Sequence, residues 1–225
     1  MQILKRGAEA ILYLDSEKNL VKERIKKSYR LPEIDLKLRA ERTRAEARLI
    51  NEAGRAGVSV PKIFFVDEAG AKIVMEFLSG ERLKEIFNSE LPLKEKEKLA
   101  EKIGESIGKL HSHNLVHGDL TTSNLILHDR QNLKDSASPQ NSQNFAGGKI
   151  FFIDFGLGFQ SSRAEDFATD LSVLKEALKS THFKDLNSLW EQIISGYKKT
   201  FPEAEKVFKA LENIELRGRY IERAG

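Results

Sequence analysis

A chain of 225 residues and 25.5 kDa is long enough to bury a substantial core, yet short for an enzyme built of two full lobes. Its apolar content of 40% with 15 Gly is that of a globular protein, and 32% charged residues exceeds the ordinary share of about 25%. No apolar run approaches the ~20 residues of a membrane span, and the N-terminus lacks the apolar core of a secretory signal, which predicts a cytoplasmic protein with no membrane segment. There is no cysteine, which excludes disulfides and thiolate metal sites, and the formal charge of +3 informs only where charges cluster.

In chain order, Ile3-Leu4 and the apolar run 10–14 flank Arg6-Gly7-Ala8-Glu9, which predicts a hairpin with a glycine turn. A third strand over 19–25 carries Lys22 behind Leu20-Val21; by pattern alone this is a solvated strand lysine. After Pro32, residues 35–53 contain no Gly or Pro and many strong helix formers, and the predicted helix stops at Gly54 and Gly57. Within it, Glu46 lies between Ala45 and Ala47, small residues that let a helix approach a sheet. Two strands follow over 63–66 and 72–78, joined through Ala69-Gly70. From 93 to 114 the apolar spacing of Leu99, Ile103, Ile107 and Leu110 predicts an amphipathic helix, and His111 and His113 near its end have no metal-binding spacing. Strands over 125–127 and 150–153 are separated by the tract 129–148, rich in Ser, Asn, Gln and Asp, which reads as a flexible insertion at a hairpin tip. A helical pattern then begins near Asp166 with Phe167, Leu171, Leu174 and Leu178. Three more helical segments are expected after it, with Trp190, Tyr197 and Phe208 in the core.

The decisive stretch is His117-Gly118-Asp119-Leu120-Thr121-Thr122-Ser123-Asn124, followed after the insertion by Ile153-Asp154-Phe155-Gly156. In phosphoryl-transfer sites of this pattern one aspartate orients the acceptor hydroxyl, an asparagine five residues on holds one Mg2+, and the aspartate of Asp-Phe-Gly holds the other. Asp119, Asn124 and Asp154 fit those roles in order. Such a site also needs an early-strand lysine for the phosphates of ATP and a helical acid beside it. Lys22 fits the first role, and Glu46, with Glu41 as the alternative, the second. Val74-Met75-Glu76-Phe77-Leu78-Ser79-Gly80 resembles a kinase gatekeeper and hinge, making Glu76 and Leu78 candidate nucleotide contacts; Met75 flanks the adenine or is plain core. Asp170 is either a solvated helix acid or a carboxylate that binds the catalytic loop from beneath. The predicted fold is α+β, a minimal two-lobed kinase-like domain spanning 1–225. Its β-rich N-lobe covers about 1–78 and its reduced helical C-lobe about 79–225.

Signalling kinases differ in three ways. Here there is no Ala-Pro-Glu and no room for a long activation loop, Gly118 stands where many have an arginine, and Thr121 where they have a lysine. Activation-loop control is not expected, and turnover should be slow.

Gly7-Ala8-Glu9-Ala10, Lys22-Glu23-Arg24, Lys27-Ser28-Tyr29-Arg30, Arg42-Thr43-Arg44-Ala45-Glu46-Ala47, the two motifs above, Glu165-Asp166 with Asp170-Leu171, and Ser180-Thr181-His182 together resemble one family over nearly the whole chain. It is the small atypical kinase of the KEOPS complex, called PRPK in animals. The resemblance implies an ATP- and Mg2+-dependent serine/threonine kinase that autophosphorylates weakly. It would act largely as an ATPase beside the tRNA threonylcarbamoyladenosine synthase subunit and other KEOPS subunits. It implies that Gly7, Ala8 and Glu9 cover the phosphates, although a single glycine offers fewer amides than a full glycine-rich loop. Relatives end in a basic tail, of which Arg217, Gly218, Arg219 and Arg223 in the stretch 217–223 keep part. Two basic clusters, 22–30 and 217–223, with Arg39, Arg42, Arg44 and Arg48 on the helix between, are either a solvated charged surface or a site where the tail and part of the first cluster would face tRNA held by the complex. Two other readings stand beside this one. Aminoglycoside- and choline-type phosphotransferases share His-Gly-Asp but carry larger helical C-terminal parts. A non-catalytic scaffold would have no need of Lys22, Asp119, Asn124 and Asp154 together.

Overall fold

The structure, a computed structural model, describes residues 2–128 and 148–223. The expected insertion lies outside the described residues except for Gly148, as do the side chains of the tail beyond Arg217.

Five short strands, β1 (Gln2–Arg6), β2 (Ala10–Leu14), β3 (Leu20–Arg24), β4 (Ile63–Asp67) and β5 (Lys72–Met75), form an antiparallel sheet in the order β1-β2-β3-β5-β4. Between β3 and β4 runs helix α1 (Pro32–Arg55). It begins three residues before the expected start because Pro32 occupies the first turn, where its missing N–H is harmless and its fixed φ favours the helix. β5 ends at Met75 instead of continuing to Leu78, and residues 76–79 are an extended connection. The Glu76 amide there donates to the Lys62 carbonyl at 2.8 Å.

Beyond that connection lie β6 (Glu81–Arg82), α2 (Leu83–Asn88), α3 (Leu93–Ser112), β7 (Leu115–Val116), β8 (Leu125–His128), β9 (Lys149–Phe152), β10 (Phe159–Gln160), α4 (Ala164–Thr181), α5 (Leu186–Thr200) and α6 (Ala204–Arg223). Leu99, Ile103, Ile107 and Leu110 of α3 are fully buried, as their spacing predicts; each such side chain contributes roughly 1.5–3 kcal/mol. Among the described residues two helices, not three, follow α4. Trp190 and Tyr197 stand two turns apart on one helix, and Gly196 does not break it but lets it pack. A Cβ on Gly196 would stand 2.0 Å from the Glu101 carbonyl, and one on Gly104 2.0 Å from that of Ile193, so α3 and α5 touch backbone to backbone. Tyr197 is fully buried, while Trp190 and Phe208 are half-buried at the edge of the core.

α1 joins the two halves. Its Leu49, Ile50 and Ala53 belong to the large core of α3, α4 and α5, while Ala47 packs with Ile73 and Met75 in a smaller core under the sheet. The helix that carries Glu46 is thereby fixed against both.

Candidate active site

The loop after β7 is held from below. The backbone amides of His117 and Gly118 donate to the two oxygens of Asp170, at 2.6 and 2.8 Å, from the buried face of α4. Burial pushes the Asp170 carboxyl up, but His111 and the His117 amide outweigh it and hold it below the usual range, so it is ionised. His111 lies between Asp170 and the Tyr197 hydroxyl, 2.8 Å from the latter, and none of the three lines the cavity described below. His117 is also fully buried and its pKa is lowered, chiefly by burial, so the ring is neutral. Its Nε2–H donates to the Ile153 carbonyl at 3.1 Å while Nδ1 accepts the Asp119 amide at 3.3 Å. One neutral ring thus ties the loop of Asp119 to the strand end that carries Asp154.

Gly118 has φ +80°, and a Cβ there would stand 2.2 Å from the Leu157 carbonyl. No side chain fits, so the arginine of regulated kinases is excluded by backbone contact between the two loops.

Asn124 closes the 3-10 turn Thr122–Asn124 and donates its Nδ2 to both the carbonyl and Oδ2 of Asp119, each at 2.9 Å. The amide nitrogen is used there, which leaves Oδ1, the atom able to ligate a cation. Asp154 has φ +64°, a left-handed conformation rare outside Gly, Asn and Asp, and its side chain is half exposed. Its Oδ1 lies 2.7 Å from Lys22 Nζ, which sits 2.5 Å from Glu46 Oε1. Burial alone would lower the Lys22 pKa, but Glu46 and Asp154 beside it win and hold it above the usual value. Burial likewise pushes Asp154 up, and Lys22 with the Gly156 amide outweighs that and holds it down. The other oxygen of Glu46 takes Arg24 Nη2 at 2.5 Å.

Over this cluster lies the β1–β2 turn. The Gly7 amide donates to the Ala10 carbonyl at 2.9 Å, Arg42 pairs with Glu9 at 2.9 Å, and Lys27 reaches the Ala8 carbonyl and Glu9. The Lys27 amide is anchored on the fully buried Asp35, which also binds Arg39 at 2.7 Å. A cavity of about 300 Å³ opens between turn and loop, lined by Gly7, Ala8, Glu9, Lys22, Asp119 and Asp154 together with Lys5, Arg24, Arg42 and Leu157.

A cavity edged by four cations and two motif acids suits a phosphate-bearing ligand, and known proteins point the same way. The lipopolysaccharide kinase (Kdo/WaaP) family model matches residues 16–197. The KEOPS complex subunit Bud32 of Pyrococcus abyssi is 44% identical over 100% of this chain and 98% of its own. The chain belongs to the Bud32 family. It is also 41% identical, over 98% of its length, to a probable bifunctional tRNA threonylcarbamoyladenosine biosynthesis protein of Methanothermobacter thermautotrophicus, and 40% identical to one of Methanosarcina mazei. It spans little more than a third of those two, 37% and 36%. Among solved structures it is similar to WaaP in complex with acyl carrier protein, with TM-score 0.61, 13% identity and 96% and 88% of the two chains covered. It is also similar to the Rio2 kinase of Chaetomium thermophilum, with TM-score 0.58, 15% identity and 96% and 72% covered. These likenesses show a protein-kinase-like fold.

Within this Bud32-family framework, Gly7, Ala8, Glu9, Lys22, Asp119 and Asp154 line one cavity, Asn124 is bonded to Asp119, and Glu46 stands behind Lys22. Glu41 is on the outer face of α1, 4.0 Å from Lys37. Glu76 and Leu78 are outside the cavity lining: Leu78 is buried and the Glu76 carboxylate accepts the Lys62 amide at 3.2 Å. Met75 is packed in the small core. Sequence reasoning gave no site role to Arg24, Lys27 or Lys5. Arg24 had a signal, since residues two apart on a strand share a face; Lys27 and Lys5 had none.

Proposed function

We propose that this chain is an ATP-dependent serine/threonine protein kinase and ATPase that works with Mg2+ as the kinase subunit of a KEOPS-type assembly in tRNA threonylcarbamoyladenosine synthesis. The observation that carries the reading is Lys22 Nζ, 2.5 Å from Glu46 and 2.7 Å from Asp154, which unites the strand lysine, the helix acid and the Asp-Phe-Gly aspartate at one point. The donor set suits Mg2+. Among the described residues no group of three or more His, Cys, Asp or Glu could hold a metal unaided, and Mg2+ characteristically takes one or two carboxylates and completes its shell with phosphate oxygens and water. Asp154 and the Oδ1 of Asn124 would hold it, and when bound it supplies charge neutralisation for the transferring phosphoryl group.

The chain's own residues do the rest. Lys22, kept cationic by Glu46, binds and orients the phosphates, and Gly7, Ala8 and Glu9 cover them. Asp119, its Oδ2 fixed by Asn124, accepts the proton of the attacking hydroxyl or water at the other oxygen. Glu76 and Leu78 would meet the adenine through the backbone of the extended connection. The cavity between the β1–β2 turn and the loop of Asp119 supports a single domain divided into a lobe of about 1–78 and one of about 79–225. Only residues 157–163 separate Gly156 from α4, which supports slow turnover without an activation-loop switch.

The full-length similarity to a KEOPS subunit, and to part of bifunctional tRNA threonylcarbamoyladenosine biosynthesis proteins, supports the synthase subunit and other KEOPS subunits as partners, with tRNA met through the complex and the tail 217–223. Among the described residues no helix is long and apolar enough to cross a membrane, which supports the cytoplasmic reading. The test is hydrolysis and transfer of radiolabelled ATP by the purified chain, with and without the synthase subunit. Asp154→Ala should abolish both, and Asp119→Asn should lower them by about 10²–10⁴-fold. Wild-type rates in either variant would refute the assignment.

A further inference from the structure

Arg24 is outside the set that kinase chemistry requires, yet its side chain is almost wholly buried and lines the cavity. It lies two residues after Lys22 on β3, hence on the same face. A guanidinium carries five N–H donors, and Arg24 uses Nη2 on Glu46. Among the described residues its Nε is the one buried side-chain nitrogen or oxygen without a hydrogen-bond partner. Buried polar groups in native proteins are nearly always satisfied, and an exception at a cleft commonly marks a missing ligand or water.

Two further observations say what ligand. The point where a Cβ would stand on Gly156 is 3.6 Å from both Arg24 Nη2 and Lys22 Nζ and 3.1 Å from Asp154 Oδ1, so the two cations converge on one spot at the acid of the Asp-Phe-Gly turn. The turn above them holds a single glycine, whose amide is already bonded to the Ala10 carbonyl, so it offers phosphate a smaller amide cradle than a glycine-rich loop does. Glu46 is shared by both cations and Asp154 is bonded to Lys22, so what Arg24 still offers an anion is its unused N–H groups, Nε among them.

We propose that Arg24 is a phosphate-contacting residue, gripping the phosphate chain of a nucleoside di- or triphosphate beside Lys22 and supplementing the small amide cradle of the turn. The planar fork suits a phosphate through two adjacent N–H groups, which a lysine cannot reproduce. This rests on the nucleotide reading of the cavity given above.

Calorimetric titration of the full chain with ATP, ADP and adenosine tests it, using the wild type, Arg24→Lys and Arg24→Met. Arg24→Lys keeps a cation for Glu46 and loses the fork. It should bind ATP and ADP about 10- to 100-fold more weakly, with adenosine within about twofold of wild type. Titrated directly, inorganic tripolyphosphate should bind Arg24→Lys roughly tenfold more weakly than the wild type. Two results would overturn the proposal and leave Arg24 a prop for Glu46: ATP affinity within twofold of wild type in Arg24→Lys and Arg24→Met, or equal losses for ATP and adenosine. Failure of the wild type itself to bind ATP would instead overturn the nucleotide reading, and this assignment with it.

Discussion

Replacing Glu46 by alanine tests how the cluster is held together. Glu46 is 2% exposed and its two oxygens serve Lys22 and Arg24, whose side chains are 12% and 5% exposed. The substitution leaves two nearly buried cations, of which Lys22 retains Asp154 while Arg24 loses the one acid it is bonded to. Removing one partner of a buried pair costs about 3–5 kcal/mol. For a domain of this size each kcal/mol lowers Tm by roughly 2–4 °C, so Glu46→Ala should melt about 6–20 °C below wild type. Lys22→Ala is different, because Arg24 still holds Glu46; its cost should be about 1.5–3 kcal/mol, that of a hydrogen bond to a charged group. The Lys22 pKa is raised in the fold, so its contribution is complete below its unfolded value of about 10.4 and is lost only as pH rises through the folded one. Thermal melts at pH 7 therefore read it in full. The double variant should be non-additive, as members of one network are. Equal Tm losses in the two single variants, with additivity in the double, would refute the shared-acid arrangement.

Gly118→Ala should be damaging well beyond an ordinary glycine substitution. Its φ of +80° costs a Cβ-bearing residue about 1–2 kcal/mol, and the contact with the Leu157 carbonyl would push apart the loops of Asp119 and Asp154. ATP hydrolysis should fall more steeply than Tm, and a fully active variant would refute the close packing. His182, buried between Asn88 at 2.9 Å and Thr122 of the catalytic loop at 3.1 Å, has its pKa lowered to about 4 by burial and by Lys96 and Lys84. A His depressed in the fold leaves stability intact above about pH 6.5 and erodes it as pH falls toward 4, here by on the order of 3 kcal/mol. His117 is depressed in the same direction, so both contribute in this window. Asp154 and Asp170 are held down instead and lose their contribution only below the usual carboxylate range. Melting His182→Gln between pH 4.5 and 7 should show a shallower slope than wild type, and an unchanged slope would contradict the burial.

Much of the fold was legible because the signals are local. The spacing of Leu99, Ile103, Ile107 and Leu110 determines one face of α3, and the order His-Gly-Asp, Asn, Asp-Phe-Gly names the chemistry whatever the surroundings. For Asp170 the sequence offered two readings, and the amides of His117 and Gly118 on its two oxygens decide for the one beneath the catalytic loop. Choices between residues on one element were less accessible. Glu41 and Glu46 are five residues apart on α1, about 140° around the helix, and only the docking of Leu49, Ile50 and Ala53 into the helical core turned Glu46 toward Lys22. The end of β5 at Met75 and the union of α5 across Gly196 were set by contacts with Lys62 and α3. The sequence by itself determined the reacting groups and their order. The tertiary structure decided which charges share a counter-ion, including Arg24, because ion pairing inside a protein depends on distance and burial, and elements far apart in the chain fix both.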